Sequence, residues 1–512
     1  MVQILIGSGR LSLDELVALT LPGNQIALAP SCSAAVQRSR AFVDEVVRSG
    51  STVYGVNTGF GKLSGVSIPE DRLGTLQRNL ILSHATGVGD SLPVQTSRLA
   101  LALRIDNLAR GFSGVRQELL DLMIEIFNAG YTPVVPSQGS VGASGDLAPL
   151  AHLALPLLGL GEVWVGDAVG TRMEGGAMLR SIGAEPVVLA AKEGLALING
   201  TQIMTAIGVL TVARARNLNQ VADIACATTI EALCASEQPF LSGVHELRPH
   251  AGQVQTATNL TALLRGSEVM QSHSDCEKVQ DAYSMRCAPQ VHGSAKDAYA
   301  FVERVLLTEA SSVTDNPLVL ANGMIVSAGN FHGQPVSQAL DFLGISLSTL
   351  ANISERRVEN LVNPDISGLP PFLAHEPGIE SGYMIPQVVA AALASENKTL
   401  AHPASVDSIP TSANREDHVS MGVTAARHGE QILHNSETVL AIELMSAVQG
   451  LDCGEKKRPG RGVEAAYACI RAHVPPLEKD RLLAPDIAQV EQLVRTGDLV
   501  RAVADVGVEL GL

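Results

Sequence analysis

The sequence predicts a mainly α-helical protein, built from an N-terminal lobe with a glycine-rich loop and an extended bundle of long helices. Aromatic residues are only 3% of the 512 residues, whereas alanine, leucine, valine and glycine abound. This composition favours close-packed helices over a sandwich or a barrel. After Lys192 the helical stretches become long and have few breaks. We expect the boundary near residue 200, with the lobe over 1–200 and the bundle and its tail over 201–512.

The N-terminal lobe is expected to alternate helices with glycine-rich turns. Helical patterns are predicted at 34–48, at 69–85, at 94–109 and in a run that ends near Asn128. The segment 162–174, which contains the only tryptophan, carries the one clear strand signal and predicts a short hairpin.

Two apolar stripes at helical spacing mark the bundle, and core packing explains them better than cofactor binding does. They comprise Leu340, Leu343, Leu347 and Leu350 in one helix, and Leu433, Leu440, Leu444 and Val448 in another. The uncharged stretch Gly194–Ala213 has the length of a membrane span, about 20 residues. Its polar side chains favour a buried helix instead; these are Asn199, Thr201 and Gln202.

Charge and cysteine content narrow the class of function. The net charge of −16 argues against nucleic acid and anionic membranes as main partners. The seven cysteines are odd in number and form no CxxC pair, which predicts buried thiols in a reducing cytoplasm rather than a disulfide framework or a zinc knuckle. Residues 1–16 lack a basic start followed by an apolar core, so we expect no signal peptide. These observations fit a cytoplasmic enzyme that acts on a small molecule.

The stretch GSVGASGDLAPLAH at 139–152 is the strongest chemical feature of the sequence. It lacks the Gly-Lys-Ser/Thr of a phosphate-binding loop and the G-x-G-x-x-G spacing of a dinucleotide fold. It is not a nucleophile elbow either, because Asp146 stands where the second glycine is required. One interpretation is a plain loop in which Asp146 caps a helix that starts at Leu147.

The other interpretation is an electrophile that the chain makes from itself. The Gly145 amide nitrogen is unhindered and can attack the Ala143 carbonyl in a tight turn, which closes a five-membered ring. Loss of water then converts the Ser144 side chain into an exocyclic methylene, and the product is a methylidene-imidazolone. This group needs no external cofactor, and a helix start behind it would favour negative charge on the ring.

Three polar residues outside this loop each have a structural and a chemical interpretation. Tyr54, in a glycine loop, is either a packed tyrosine or a mobile lid residue. His84 either satisfies the end of a helix or enters a site. Asn199 either caps the long helix or contacts a ligand.

Three residues later in the chain have similar alternatives. Arg286 either forms a surface ion pair or grips a carboxylate with two N–H groups. Phe331 either packs in the apolar core or lines a pocket. Glu416 either lies in the first turn of a helix or contacts a ligand. The chain has 13 histidines but neither HExxH nor a cysteine–histidine cluster at ligand spacing, so no catalytic metal is expected. It also lacks the GSSxMPxKxN loop of fumarase-type helical lyases.

The chain resembles the aromatic amino acid ammonia-lyases from about Leu11 to Pro485. The resemblance rests on the loop at 139–152 and on the motifs YGVNTGFG, LSHATGVG, RGFSG, KEGLALINGTQ, QDAYSMRC, TDNPLV, GNFHG and SANREDHVSMG. It implies a mainly α fold of ammonia-lyase type, a homotetramer, and a methylidene-imidazolone (MIO) formed from Ala143, Ser144 and Gly145.

Carried over by position, the resemblance also implies roles for single residues. Tyr54 is implied as the catalytic base and Arg286 as the holder of the substrate carboxylate. Tyr283 falls at another catalytic position, and the remaining substrate-binding positions hold His84, Asn199, Gln280, Phe331 and Glu416. The resemblance further implies active sites shared between chains, with Tyr283 and Arg286 supplied by a neighbour.

Two positions indicate the substrate within this family. Members that act on histidine have Ser-His where this chain has Ser83-His84, and Glu where it has Glu416. Imidazole nitrogens can hydrogen-bond to both side chains, whereas a phenyl ring would leave them unpaired. We therefore expect a carbon–nitrogen lyase that converts L-histidine to trans-urocanate and ammonia, the first step of histidine degradation.

Several alternatives stay open at this point. They are a phenylalanine or tyrosine ammonia-lyase, an MIO-dependent 2,3-aminomutase, and a non-catalytic helical scaffold that kept the fold. The sequence also leaves open whether the amine or the imidazole of the substrate attacks the MIO, although we favour the amine.

Overall fold

The computed structural model describes residues 2–166, 170–273 and 279–512. The fold is mainly helical, with 60% helix, which confirms the predicted fold class. The α-helices are α1 Leu13–Ala18, α2 Cys32–Ser49, α3 Leu73–His84, α4 Val94–Ala109, α5 Gln117–Asn128, α6 Leu147–Ala154, α7 Gly175–Ser181, α8 Glu193–Ile198, α9 Gln202–Ala232, α10 Ser242–Glu246, α11 Ala251–Leu263, α12 Glu268–Ser272, α13 Tyr283–Arg286, α14 Ala288–Ala310, α15 Gln334–Val362, α16 Pro364–Ser367, α17 Met384–Leu400, α18 Gly422–Cys453, α19 Arg461–Arg471, α20 Ala484–Thr496 and α21 Asp498–Asp505.

Short strands accompany these helices. They are β1 Gln3–Ile6, β2 Gln25–Leu28, β3 Val88–Ser91, β4 Tyr131–Pro133, β5 Pro136–Gln138, β6 Glu162–Val165, β7 Arg172–Glu174, β8 Leu318–Val319 and β9 Ile325–Val326. The pair β1–β2 is parallel, whereas β3–β5, β4–β6–β7 and β8–β9 are antiparallel. The predicted hairpin is confirmed as β6–β7, although residues 167–169 of its turn lie outside the described residues. The other strands were missed because two to four residues give no usable alternation pattern.

The chain forms two compact units, each assembled from separate segments. Unit 1 comprises Met1–Leu210, Glu303–Asp341 and Pro403–Arg427, and unit 2 comprises Thr211–Val302, Phe342–His402 and His428–Leu512. The predicted boundary near residue 200 stays a prediction. Two later segments of the chain also belong to unit 1. No local feature of the sequence predicts that they pack with the N-terminal part.

Each unit has its own apolar core. In unit 1, Val43, Val56, Leu73, Ala191 and Val319 form a buried cluster. In unit 2 the corresponding cluster comprises Ala351, Val358, Ala390, Val439 and Ile442. Both predicted leucine stripes are buried to 1% exposure or less, which confirms that they pack in the core of the chain.

The uncharged stretch at 194–213 is buried as predicted, but it is not a single helix. Helix α8 ends at Ile198 and α9 begins at Gln202, so Asn199 follows one helix rather than opening the next. The intervening Asn199 and Gly200 supply backbone and side-chain groups to the site described below. None of the described helices is both long and apolar enough to cross a membrane.

Candidate active site

The Ala143–Gly145 loop lies between β5 and α6 in unit 1 and touches the backbone at Gly200. Gly145 has φ +76° and pairs with Gly200 in a parallel bridge. A Cβ atom added at position 145 would lie 2.1 Å from the Gly200 carbonyl oxygen. Glycine is therefore required here both for its backbone conformation and for the close approach of a second backbone segment.

Asp146 connects this loop to the start of α9. Its backbone N–H donates to the Gly200 carbonyl at 2.7 Å. Its buried carboxylate accepts from the N–H groups of Ile203 and Met204, both at 3.0 Å. Asp146 is the N-cap residue of α6, as predicted, but its side chain makes no capping hydrogen bond there and accepts from the start of α9 instead. Burial raises the pKa of Asp146 to about 7, against the opposing effect of these hydrogen bonds.

Ser144 is the residue of the loop that faces the site. Its hydroxyl donates to Oε1 of Glu416 at 2.8 Å, and its carbonyl oxygen accepts from Nδ2 of Asn199 at 3.1 Å. Ala143 beside it is buried. The hydroxyl and the carbonyl of Ser144 are thus both held by residues distant in sequence, which fixes the orientation of the serine.

Glu416 is held in an irregular loop before α18, and not in the first turn of a helix. Its Oε2 atom accepts from the hydroxyl of Thr411 at 2.6 Å, and the two residues also pair through their backbones. Ser412, Ala413 and Asn414 between them all have positive φ, from 54° to 63°. Such a conformation costs about 1–3 kcal/mol per non-glycine residue and is typical of functional sites.

The segment after Glu416 holds the other side of the glycine loop. The Ser420 hydroxyl donates to the Gly142 carbonyl at 2.9 Å, and the Met421 N–H donates to the Val141 carbonyl at 2.8 Å. Neither Thr411 nor Ser420 was predicted at the site, although Ser420 lies within the long motif SANREDHVSMG.

A cavity of about 400 Å³ opens in front of Ser144, within the size range of small-molecule sites. Its polar lining combines a phenol, an imidazole, a carboxylate, a hydroxyl and amides, and its apolar lining is mostly leucine. The lining residues are Tyr54, Gly59, Phe60, Gly61, Leu63, Leu76, Asn79, Leu80, Ser83, His84, Ser144, Leu147, Leu195, Ile198, Asn199, Ser412 and Glu416. All of them belong to unit 1.

Tyr54 and His84 are half-buried on the cavity wall. Burial, and to a smaller extent the Glu416 carboxylate, raise the pKa of the Tyr54 phenol, while a hydrogen bond with the Gly61 backbone opposes this. Burial also lowers the pKa of His84, so its imidazole is neutral at pH 7. His84 is the last residue of α3 and its Nδ1 lies 3.0 Å from the Ser83 hydroxyl. It therefore both ends a helix and faces the cavity.

Among the predicted site residues outside the Ala143–Gly145 loop, four do not line this cavity. Phe331 lies in unit 1 in the turn before α15, where it is half-buried. Gln280, Tyr283 and Arg286 belong to unit 2. The Arg286 guanidinium stacks 4.4 Å from the centre of the Tyr283 ring, and the Tyr283 side chain is 69% exposed.

A buried polar network supports the short helix α13 that carries Tyr283 and Arg286. Nη1 of Arg357 donates to the Ser284 carbonyl at 3.2 Å, while its Nη2 donates to Glu443 at 2.8 Å. Burial lowers the pKa of Arg357, but the combined attraction of Glu443, Cys226 and Asp223 and the hydrogen bond with Glu443 outweigh burial, so the pKa is raised. A buried ion pair of this kind has little net effect on the free energy of folding while both partners are present. Removing one partner destabilises the fold, because it leaves an unpaired buried charge. The network fixes where α13 presents its side chains, and the sequence carries no local signal for it.

Among the described residues, His434, Glu437 and Glu491 form a cluster of possible metal ligands in unit 2. Both carboxylates already pair with Arg495, and Glu437 also pairs with Arg214 at 2.5 Å. Their charge is thus compensated within the protein.

The chain is similar to known lyases and aminomutases over nearly its whole length. The family model for aromatic amino acid lyases matches residues 11–472. A histidine ammonia-lyase of Myxococcus xanthus is 51% identical over 502 residues, which cover 98% of each chain. Among solved structures, a histidine ammonia-lyase from Trypanosoma cruzi is 43% identical with a TM-score of 0.90 and coverage of 99% of this chain and 95% of that one. A tyrosine aminomutase from Streptomyces globisporus is 35% identical with a TM-score of 0.93 and coverage of 99% and 100%.

We predict that Gly145→Ala destabilises the protein far more than Gly9→Ala. Both glycines have positive φ, +76° and +70°, so alanine at either carries a conformational cost of about 1–2 kcal/mol. Only at position 145 would the new methyl group also meet a backbone carbonyl, since no atom lies within 4 Å of a Cβ at Gly9. Thermal unfolding of both variants measures the difference, and equal shifts in Tm would contradict the clamped-loop geometry.

Proposed function

Because the chain belongs to the aromatic amino acid lyase family, we propose that it catalyses the histidine ammonia-lyase reaction, from L-histidine to trans-urocanate and ammonia. The observation that carries this proposal is that Ser144, Tyr54, His84 and Glu416 all line one cavity. The full-length similarity to proteins named histidine ammonia-lyase supports the same reaction.

The site fits an MIO group formed from Ala143, Ser144 and Gly145. The backbone at Gly145 tolerates no side chain, Ser144 presents a hydroxyl to the cavity, and Asn199 donates to the Ser144 carbonyl. When formed, the group supplies an electrophilic carbon that no standard side chain offers. Asn199 would then stabilise negative charge on the carbonyl oxygen that it already contacts.

Imidazole recognition is assigned to His84 and Glu416. A neutral His84 has one nitrogen that donates and one that accepts, so it can bind one imidazole nitrogen of the substrate. The second imidazole nitrogen of the substrate can donate to Glu416. In the unmodified chain Oε1 of Glu416 is occupied by the Ser144 hydroxyl. Loss of that hydroxyl during MIO formation would free the oxygen for the substrate.

Tyr54 is assigned to remove the β-proton of the substrate. Burial raises its pKa, so a phenolate in this cavity needs a nearby cation. None of the described residues that line the cavity is an arginine or a lysine. Arg286 of a neighbouring chain would supply that cation and would also bind the substrate carboxylate, with Tyr283 beside it.

We further propose the homotetramer with shared active sites that the resemblance implies. The leucine stripe of α15 gives no support, because it is already buried within one chain. The support comes from apolar side chains in unit 2 that stay exposed on α15 and α17. They include Phe342 at 45%, Ile345 at 41%, Ile385 at 59% and Val388 at 52% exposure. Exposed apolar surface of this kind marks association sites.

The cytoplasm is the proposed location. The six described cysteines are free thiols, with Cys32 and Cys226 buried, and thiols of this kind are typical of a reducing compartment. Cys276 lies outside the described residues.

The substrate assignment predicts urocanate formation from L-histidine and a specific loss in His84→Leu. Leucine at position 84 leaves an imidazole nitrogen unpaired, so kcat/KM for L-histidine should fall about 10- to 100-fold. For L-phenylalanine, kcat/KM should stay level or rise. Ultraviolet detection of the products measures both. The variant His473→Leu, which changes an exposed histidine outside the cavity, serves as the control.

Activity on other aromatic amino acids without activity on L-histidine would contradict the assignment of L-histidine as the substrate. If the wild-type protein released ammonia from L-tyrosine or L-phenylalanine, or formed their β-amino acids, while leaving L-histidine unchanged, one of the alternative lyase or aminomutase functions would replace it.

The shared-site proposal predicts that two inactive variants restore each other. Ser144→Ala and Arg286→Ala should each be nearly inactive alone. In mixed tetramers some pockets would combine an intact Ser144 with an intact Arg286 from a neighbour, so activity should rise well above the sum of the parents. Differently tagged chains, co-purified after joint refolding, allow the measurement.

A mixture of Ser144→Ala with Tyr54→Phe is the matched control. Both residues line the cavity of one chain, so no mixed pocket would hold both intact and activity should not return. Equal behaviour of the two mixtures, in tetramers shown to be mixed, would refute shared sites.

A further inference from the structure

We propose that Glu416 is also the general acid that completes the MIO group, by protonating the Ser144 hydroxyl as it leaves. This inference rests on the proposed function, since it concerns how the same site is made. It assigns Glu416 a role before any substrate binds, in addition to imidazole recognition.

The geometry places Glu416 on the atom that must leave. Oε1 of Glu416 lies 2.8 Å from Oγ of Ser144, a distance across which a proton can pass between the two oxygens. Oε2 is held by the Thr411 hydroxyl at 2.6 Å. Because the other oxygen is occupied, the carboxyl group cannot rotate away from Ser144 without losing a short hydrogen bond.

The loop around Glu416 also supports a fixed position. The backbones of Thr411 and Glu416 pair with each other, and three consecutive residues between them have positive φ. The protein thus holds this loop in an unfavourable backbone conformation, and the carboxylate position is one result.

The dehydration step balances with Glu416 as the acid. Once the Gly145 nitrogen has bonded to the Ala143 carbonyl carbon and the first water has left, Glu416 carries a proton taken from solvent, and the Cα–H proton of Ser144 passes to a solvent water. The electron pair of that bond forms the Cα=Cβ double bond, and the Cβ–Oγ bond breaks. Oγ takes a proton from the Glu416 carboxylic acid and departs as the second water. The proton released from Cα to solvent balances the one that Glu416 took from solvent.

The step needs an acid because hydroxide is a poor leaving group. Water is a very weak acid, so departure of the oxygen as hydroxide, without a proton, is strongly disfavoured. A positioned acid contributes about 10²- to 10⁴-fold to such a step.

The other carboxyl group at the loop, Asp146, is directed elsewhere. One oxygen accepts from the backbone of Ile203 and Met204, and the other accepts from the Ser140 hydroxyl at 3.0 Å. Asp146 thus holds the loop against α9, whereas the hydroxyl of Ser144 points to Glu416.

The test follows the mass of newly made protein over time in wild type, Glu416→Gln and Asp417→Asn. Glutamine keeps the size of the side chain but cannot transfer a proton as a carboxylic acid does. Asp417 is an exposed neighbour in the same loop, so its amide variant matches the change in charge. Wild type and Asp417→Asn should both lose two waters. Glu416→Gln should keep the Ser144 oxygen, with its loss slowed about 100-fold or more.

Fragment mass spectrometry of the 139–152 region shows whether Ser144 keeps its oxygen, and circular dichroism confirms folding. If Glu416→Gln lost two waters as fast as wild type, the inference would be overturned while the proposed function stood. If wild type itself lost no water, the MIO assignment would fail as well.

Thr411→Val is the second variant, and it decides the question if Glu416→Gln does not fold. It keeps the acid and removes only the hydrogen bond that fixes Oε2. Oxygen loss from Ser144 should be slower than in wild type but should reach completion. An unchanged rate in Thr411→Val would contradict a positioned acid.

Discussion

The rest of the site depends on two hydrogen bonds that the Asp146 carboxylate accepts from backbone N–H groups in the first turn of α9. They join the end of the glycine loop to a helix start that lies 57 residues later in the sequence. The same contact brings the Gly145 backbone against Gly200, and Asn199 against the Ser144 carbonyl. A buried carboxylate is costly unless hydrogen-bonded, and here the helix N-terminus supplies those bonds. The loop is thereby held in a turn before any chemistry occurs.

A second constraint acts from the opposite side of Ser144. The loop that carries Glu416 adopts an unfavourable backbone conformation, and Ser420 fastens the following segment to Gly142. The packed helices thus hold two polar side chains, Asn199 and Glu416, against Ser144. This arrangement explains why the site combines distant parts of the sequence, since no single element presents both a tight turn and an opposed carboxylate.

Much of the fold could be predicted, because helices such as α2 and α5 leave a clear apolar period in the sequence. The short strands and the division into interleaved units left no such signal. At the site, the motifs identified Ser144, Tyr54, His84, Asn199 and Glu416, which the structure places around one cavity. The target of Asp146 and the bond from Thr411 could not be predicted, because they depend on contacts that only the folded chain creates. The roles assigned to the cavity residues stay predictions, as do those of Phe331, Gln280, Tyr283 and Arg286, which do not line the cavity.

We propose that the loop held between Asp146 and Glu416 becomes an electrophile. The most direct test is the mass of the proteolytic fragment that contains residues 139–152, taken from protein that forms urocanate. We expect a fragment two waters lighter than its sequence, with the loss confined to Ala143, Ser144 and Gly145. An unmodified fragment from an active preparation would contradict it.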